Sequence, residues 1–556
     1  MQTQKLLNIL SKSPITKKTT SGEIVKLLLK NRNITSEAEI ASFLHPKLEN
    51  LTSSNVGIDK KQLAKAVKRI NFALSQKENI VVYGDYDVDG ITGTAILWET
   101  LYRKSKNVTP YIPHRIDEGY GLSIKGIDNL LSENKETKLI ITVDNGIVAQ
   151  DAVEYANKKG IDVIITDHHV PDTNAFMLPK AHAIVHTTMI CGAGVAYLLS
   201  KEFNDNENLK EHLELAALGT IADLVPLQGA NRIIVKLGLK ELQHTSRLGL
   251  LALFKEAGIK TESIGVYEVG HMIAPRLNAM GRLENAMDSL RLLCTNDQNR
   301  ANTLAQTVSQ INKERQDLTK SAIAHAKAKV SNLHISKKIL IISDQSYQQG
   351  IIGLVAGRLV EEFYLPSIVI AIGEKESKAS ARSVKGFDIV SFIRTAKEYL
   401  IDVGGHPMAA GFTVETAKIG DLSAFLEKNA IEAITTAHTI RSLTVDAEIP
   451  FSLLTKQLFD ALQQLSPFGM GNPEPVFVSY AATVVDVKYV GTERQHIKLQ
   501  LKSNDSEVIE AIGFGMTELA SDLQRGDSVS IVFTLSENTW NSKISLQLKL
   551  KDIQLT

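Results

Sequence analysis

Short apolar runs that end in carboxylates or imidazoles constrain this chain more than any other feature. Residues 80–83, 139–143 and 162–166 are such runs, and residues 183–186 form a fourth, with helical stretches between them. Runs too short for helices, repeated at this spacing, are the pattern of parallel strands buried on both faces and alternating with crossover helices. They predict an α/β fold built on a parallel sheet. In open sheets of this kind ligands bind beyond the carboxyl ends of the strands.

The first run leads into Gly84-Asp85-Tyr86-Asp87-Val88-Asp89-Gly90, the second into Asp144-Asn145-Gly146, and the third into Asp167-His168-His169. A single Asp/Gly run would equally well be a turn or a helix cap. Recurrence at three strand ends favours one shared site. Asp223, enclosed by apolar neighbours in Ile221-Ala222-Asp223-Leu224-Val225, is a fourth contributor, because a buried carboxylate needs a partner. Mixed Asp and His donors without thiolates suit Mn²⁺ or Mg²⁺. Clustered carboxylates repel each other and any phosphate, so two divalent ions are expected, and they would invert the local potential. Two such ions activate a water and stabilise a leaving oxygen, which is the chemistry of phosphodiester hydrolysis. Adjacent residues at a strand end point to opposite sides. Of His168 and His169, one is therefore expected to ligate and the other to hydrogen-bond a carboxylate or the scissile phosphate.

At 556 residues the chain is expected to divide into several domains. The reading is an N-terminal segment at 1–75, a parallel-sheet domain at 76–245, and a helical region at 246–334. That region contains a connecting helix over about 297–329, free of Gly and Pro. A smaller α/β domain follows at 335–437. Strand-like alternation at 496–501, 528–533 and 543–550 then predicts a small β-barrel at 438–556. Lys plus Arg equals Asp plus Glu at 62 each, so no global field draws in a polyanion, and any nucleic-acid contact must be local. The two cysteines, Cys191 and Cys294, exclude a disulfide framework or a thiolate metal site. The early apolar stretch at 6–10 is too short for a signal peptide, and no window approaches the roughly 20 apolar residues of a membrane span. A cytoplasmic protein is expected.

The motifs DYDVDG, VDNG, DHH and ADLVP, in that order, resemble those of the DHH phosphoesterase superfamily. Gly404-Gly405-His406 resembles its companion DHHA1 domain. Arg276-Leu277-Asn278-Ala279-Met280-Gly281-Arg282 and the OB-like barrel are similar to the bacterial RecJ exonucleases, over residues from about 50 to the end. This resemblance implies a 5′-to-3′ exonuclease on single-stranded DNA that needs Mn²⁺ or Mg²⁺ and releases 5′-mononucleotides in DNA repair and recombination. It implies metal ligands at Asp85, Asp87, Asp89, Asp144, His168 and Asp223, and catalytic roles for Asp87, Asp144, His168 and His169. Some relatives carry a metal-binding His where this chain has Tyr83.

A nuclease that starts from a 5′ end must sense a terminal phosphate, for which the planar fork of Arg is suited. Arg115, Arg282 and Arg382 resemble the family's phosphate contacts, and Asn278, Ser380 and His406 join them as expected substrate residues. The resemblance also suggests single-strand-binding protein and a helicase as suppliers of the strand, and no membrane. From residue 441 onward, 10 Lys plus Arg stand against 14 Asp plus Glu, so the barrel is not expected to be a basic funnel. Phe468, in a Gly/Pro-rich loop, is either a stacking platform or part of a turn. Competing readings are a superfamily enzyme acting on short oligonucleotides, cyclic dinucleotides or pyrophosphate, and a non-catalytic scaffold.

Overall fold

The computed structural model describes residues 5–171, 178–204, 206–331, 337–503, 507–540 and 543–556. The chain forms two compact units, one of Leu7–Ser309 with Thr444–Thr556 and one of Gln310–Leu443. Among the described residues, no helix is long and apolar enough to cross a membrane.

The larger unit holds the parallel sheet. Helix α1 (Lys60–Ser75) starts where the Asp59 side chain accepts the amide protons of Lys61 and Gln62, and it buries Leu63, Ala66, Ile70 and Ala73 at helical spacing. It leads into β1 (Asn79–Tyr83), α2 (Val88–Tyr102) and β2 (Val108–Tyr111). Next come β3 (Thr137–Thr142), β4 (Asp162–Asp167), β5 (Ala183–His186), α3 (Gly192–Ser200) and α4 (Asn206–Ala222). All neighbouring strands pair in parallel, in the order β2-β1-β3-β4-β5. That order reverses between β1 and β3, and the crevice at such a switch point is where doubly wound sheets bind ligands. The first two acidic motifs flank it.

Four of these strands were expected from the apolar runs. The edge strand β2 carries Pro110, which cannot donate a ladder hydrogen bond and is tolerated only at an edge.

In the C-terminal part of this unit, the strands Phe477–Val490, His496–Lys502, Ile509–Gly513, Lys543–Leu555 and Ser528–Trp540 pair in succession, and residues 477–483 pair back onto 528–533. The ring is an OB-like barrel around Val484, Ile497, Leu499, Ile531 and Phe533. Arg232 fastens it. This fully buried guanidinium lies 3.6 Å from the centre of the Phe43 ring and donates to the carbonyls of Phe43 and Ser466. The barrel-side loop at 466–473 also meets the 223–227 loop. Leu227 donates its amide proton to the Met470 carbonyl at 2.7 Å, and a β-carbon on Gly471 would stand 2.8 Å from the Pro226 side chain. Asn472, buried, donates to the carbonyls of Leu465 and Pro467, so this loop is an ordered turn. Phe468 packs against the barrel core.

The smaller unit has a five-stranded mixed sheet ordered Leu400–His406, Ala409–Glu415, Glu376–Arg382, Ser367–Ala371, Leu340–Asp344. Only the last two strands are parallel; the other neighbours run antiparallel. Helix Ile352–Phe363 covers one face through Val355, Ala356 and Leu359. The connecting helix, Gln298–Ser331, carries the chain from the first unit into the second.

Candidate metal centre

Asp85 follows β1 directly and is buried, and Asp87 caps α2 by accepting the Gly90 amide proton at 3.1 Å. Asp89, in the first turn of α2, lies against the start of α3, where its two oxygens accept the amide protons of Gly192 (2.6 Å) and Ala193 (2.8 Å). A helix N-terminus suits a carboxylate because its first amides have no intrahelical acceptor. Asp144 stands just past β3 with φ 63°, in the left-handed region, where Asp is among the few non-glycine residues tolerated. Its conformation is fixed by Asn145, whose side chain donates to the carbonyls of Val143 and Tyr83 and accepts from Leu122.

Three glycines leave the room that these carboxylates occupy. A β-carbon on Gly90 would lie 2.7 Å from Asp85, one on Gly192 2.6 Å from an Asp144 oxygen, and one on Gly219 2.6 Å from an Asp89 oxygen.

The donors converge. Atoms of Asp85, Asp87 and Asp144 lie within 4.8 Å of one another, as do those of Asp89, His168 and Asp223, and those of Asp144, His168 and His169. His168 Nε2 is 3.1 Å from Asp144 Oδ1, 3.6 Å from Asp223 Oδ2 and 3.7 Å from Asp89 Oδ2, and so joins the groups. Oδ1 of Asp85 and Oδ1 of Asp144 are buried without a hydrogen-bond partner. Burial and mutual repulsion push the carboxyls of Asp85, Asp87 and Asp144 up, and that of Asp223 up to about 8. Burial also holds the His168 imidazole below its usual range, favouring the neutral, ligating form. Buried, unpartnered carboxylate oxygens beside a neutral imidazole fit divalent cations, whose charge offsets the repulsion that otherwise raises these pKa values.

His169 is placed differently from His168. Its Nδ1 is 2.8 Å from Asp167 Oδ1, and its Nε2 is 3.1 Å from the Tyr120 hydroxyl, which donates to the Asp144 carbonyl. Burial opposes its charge, but the Asp167 hydrogen bond and the surrounding carboxylates outweigh burial and lift its pKa to about 9. Asp167 is saturated by the amide protons of Ile147, His168 and His169, so it orients the His-His pair. Asp167 and Tyr120 were not singled out in the sequence. Their signals are present in it, as an acidic residue adjoining the histidine pair and an aromatic between Gly119 and Gly121, both at positive φ.

Tyr83 stays outside the donor set. It is fully buried, stacks on Tyr111 at 5.1 Å and donates to the Gly121 carbonyl. Arg115 lies over the Tyr86 ring at 4.9 Å, and the charges of both Arg115 and Arg282 favour ionisation of the Tyr86 hydroxyl, which burial holds up at about 12. Two of the expected substrate arginines thus gather beside the first motif. Asn278 accepts the Val88 amide proton at 3.0 Å, bracing the start of α2.

In the smaller unit, Arg382 pairs with Ala409, which pairs with His406, so the two side chains leave one face of the sheet on a single rung. Ser380 shares that face, and its hydroxyl accepts from Arg382 Nη1 at 3.0 Å.

Family models match three stretches: the N-terminal domain of the DHH family over residues 79–220, the DHHA1 domain over 334–432 and the RecJ OB domain over 445–552. The single-stranded-DNA-specific exonuclease RecJ of Bacillus subtilis is 36% identical over 540 residues, covering 95% of this chain and 67% of its own length. The protein of the same name from Haemophilus influenzae is 30% identical over 526 residues, covering 88% of this chain and 90% of its own length. The crystal structure of RecJ in complex with Mn²⁺ from Thermus thermophilus superposes with a TM-score of 0.81 at 29% identity, over 100% of this chain and 80% of that one. Matched in motif order, in fold and at this identity over most of both lengths, the chain belongs to the RecJ family.

Proposed function

We propose that this chain is a metal-dependent exonuclease that degrades single-stranded DNA from its 5′ end and releases 5′-mononucleotides. The observation that carries this reading is the pair of donor groups joined through Asp144 and His168, with carboxylate oxygens buried and unpartnered. Asp85, Asp87 and Asp144 would hold one ion, and Asp89, His168 and Asp223 the other, with Asp144 shared. When bound, two divalent ions supply an acidified water and charge compensation for the leaving oxygen. His169, oriented by Asp167, donates to a non-bridging oxygen of the scissile phosphate. Arg115 and Arg282 bind phosphate beside the first motif, and Asn278 holds that motif in place.

Ser380, Arg382 and His406 form a further phosphate-binding face. The segment boundaries at 76–245 and 335–437 belong to this reading, as do a cytoplasmic location and dependence on a helicase and a single-strand-binding protein to present the strand. Support comes from family membership and from the names of the relatives, which are single-stranded-DNA-specific exonucleases.

The test is hydrolysis, with Mn²⁺, of a long single strand labelled at its 3′ end, compared with di- to pentanucleotides. Shortening from the 5′ side, faster with a 5′-phosphate than a 5′-hydroxyl and with that preference lost in Arg382→Ala, is expected. Activity confined to the short substrates would overturn the proposal.

A further inference from the structure

Helix α1 carries Lys60, Lys61, Lys65, Lys68 and Arg69 and not one acidic residue. In a chain whose charges balance at 62 and 62, that is a local concentration of positive charge. Arg69 is consumed internally, by Asp162 at 2.6 Å and Glu78 at 2.7 Å. The four lysines are exposed, and among the described residues none of them forms an ion pair. Lys61, Lys65 and Lys68 follow one another at i, i+4 and i+7, a spacing at which like charges repel and destabilise the free helix. An anion laid along this face would relieve that repulsion.

Two further features point to the kind of anion. Between α1 and the 52–54 loop runs a groove of about 730 Å³, lined by Leu63, Ala64 and Val67, by Lys60, Lys68 and Asn71, and by one carboxylate, Glu202. Beyond it on the exposed side of the helix Phe72 is 55% exposed, with the Arg69 guanidinium 5.6 Å from its ring centre. Cations beside apolar side chains and an open aromatic ring match a strand that presents phosphates together with unpaired bases, since base faces are hidden in a duplex.

The start of α1 is tied to β5 and the turn after it, while Arg69, held by Glu78 and Asp162 at the amino ends of β1 and β4, sets the Lys68–Phe72 end toward the opposite edge of the sheet. The Gln62 side chain accepts the Ile184 amide proton of β5, and the Thr187 hydroxyl donates to the Val56 carbonyl just ahead of α1. His186 Nε2 lies 2.7 Å from the His169 carbonyl. The start of α1 therefore stands at the ligand-bearing edge of the sheet.

We propose that the lysine face of α1, with its groove and Phe72, is a second binding surface for single-stranded DNA, engaging the strand whose 5′ end occupies the metal centre; this rests on the nuclease reading above. In the barrel-bearing C-terminal region acidic residues outnumber basic ones, so α1 supplies a local attraction that the barrel does not.

The test uses the full chain with divalent ions chelated and a labelled single strand of about 30 nucleotides, longer than the roughly 16 that one OB fold covers. The combined variant Lys61→Glu, Lys65→Glu, Lys68→Glu is expected to raise Kd at least about tenfold and to reduce the salt slope by about 2, as expected for three lost phosphate contacts. Phe72→Ala is expected to weaken binding without changing the slope. With Mn²⁺ restored, the lysine variant should hydrolyse a tetranucleotide at the wild-type rate.

Unchanged affinity and slope would overturn the proposal, as would an equal loss on the tetranucleotide, which would mark a folding defect. Displacement of nothing but a polyglutamate probe from the face would assign it to an acidic protein and overturn it too. If the wild-type chain binds the strand through these lysines but cleaves no DNA, the proposed activity fails and this surface stands.

Discussion

Asp144 combines a left-handed backbone, complete burial of one carboxylate oxygen and proximity to four other acids. Such a residue costs stability when its charge is unopposed, so it is kept for what it binds. Asp144→Asn preserves the backbone tolerance and removes the charge. Hydrolysis is expected to fall at least about 10³-fold, while the melting temperature measured with chelator at pH 8 rises. A fall in both would make Asp144 structural. Asp223 gives a pH prediction. Its carboxyl is raised to about 8 in the fold against an ordinary value near 4, so the folded state holds more protons between these limits. The metal-free fold should therefore lose stability as pH rises from about 4 to about 8, and added Mn²⁺ should restore it. Metal binding at pH 7 should release protons, and far fewer at pH 9, as read by calorimetry in buffers of different ionisation enthalpy.

At the scale of elements, the helix Ala274–Leu283 packs so closely on the first motif that a β-carbon at Gly281 would collide with the Tyr86 carbonyl. Gly281→Ala is expected to cost about 1–3 kcal/mol of stability and to lower turnover further, because Asn278 would release the start of α2; denaturant melts and steady-state rates check both. What could be read in advance follows from how local each signal is. The strands β1, β3 and β4 and the ligands at their ends were legible because burial on both faces makes an unbroken apolar run. The edge strand β2, with Pro110, and the long barrel strand Phe477–Val490, bent at Ala481 (φ 55°), carry no such run. The connecting helix is legible in extent, but its buried apolar side chains are Ala301, Ala305, Val308, Ala322 and Ala326, while the larger Leu304, Ile311 and Leu318 are only half-buried. The role of Asp167 is not legible in the sequence, because it depends on amides brought to it from the ends of β3 and β4 together.

On the scale of the molecule, residues far apart in sequence build one unit around the buried Arg232, and no periodicity announces that union. The 466–473 loop, which as sequence reads equally as stacking platform or turn, is the turn that backs the 223–227 loop. Gly471→Val would push against Pro226 and displace Asp223. Affinity for Mn²⁺ is expected to fall about tenfold, with barrel melting little changed; unaltered metal affinity would show the contact to be idle.

The Pro226–Gly471 contact also bears on the order in which a newly made chain acquires its chemistry. Every donor is translated before the barrel, yet the wall behind Asp223 arrives only with residue 471. A ribosome-bound chain that ends before 444 would carry all the ligands without that wall, and its metal affinity is expected to rise once residues 466–473 have folded against it.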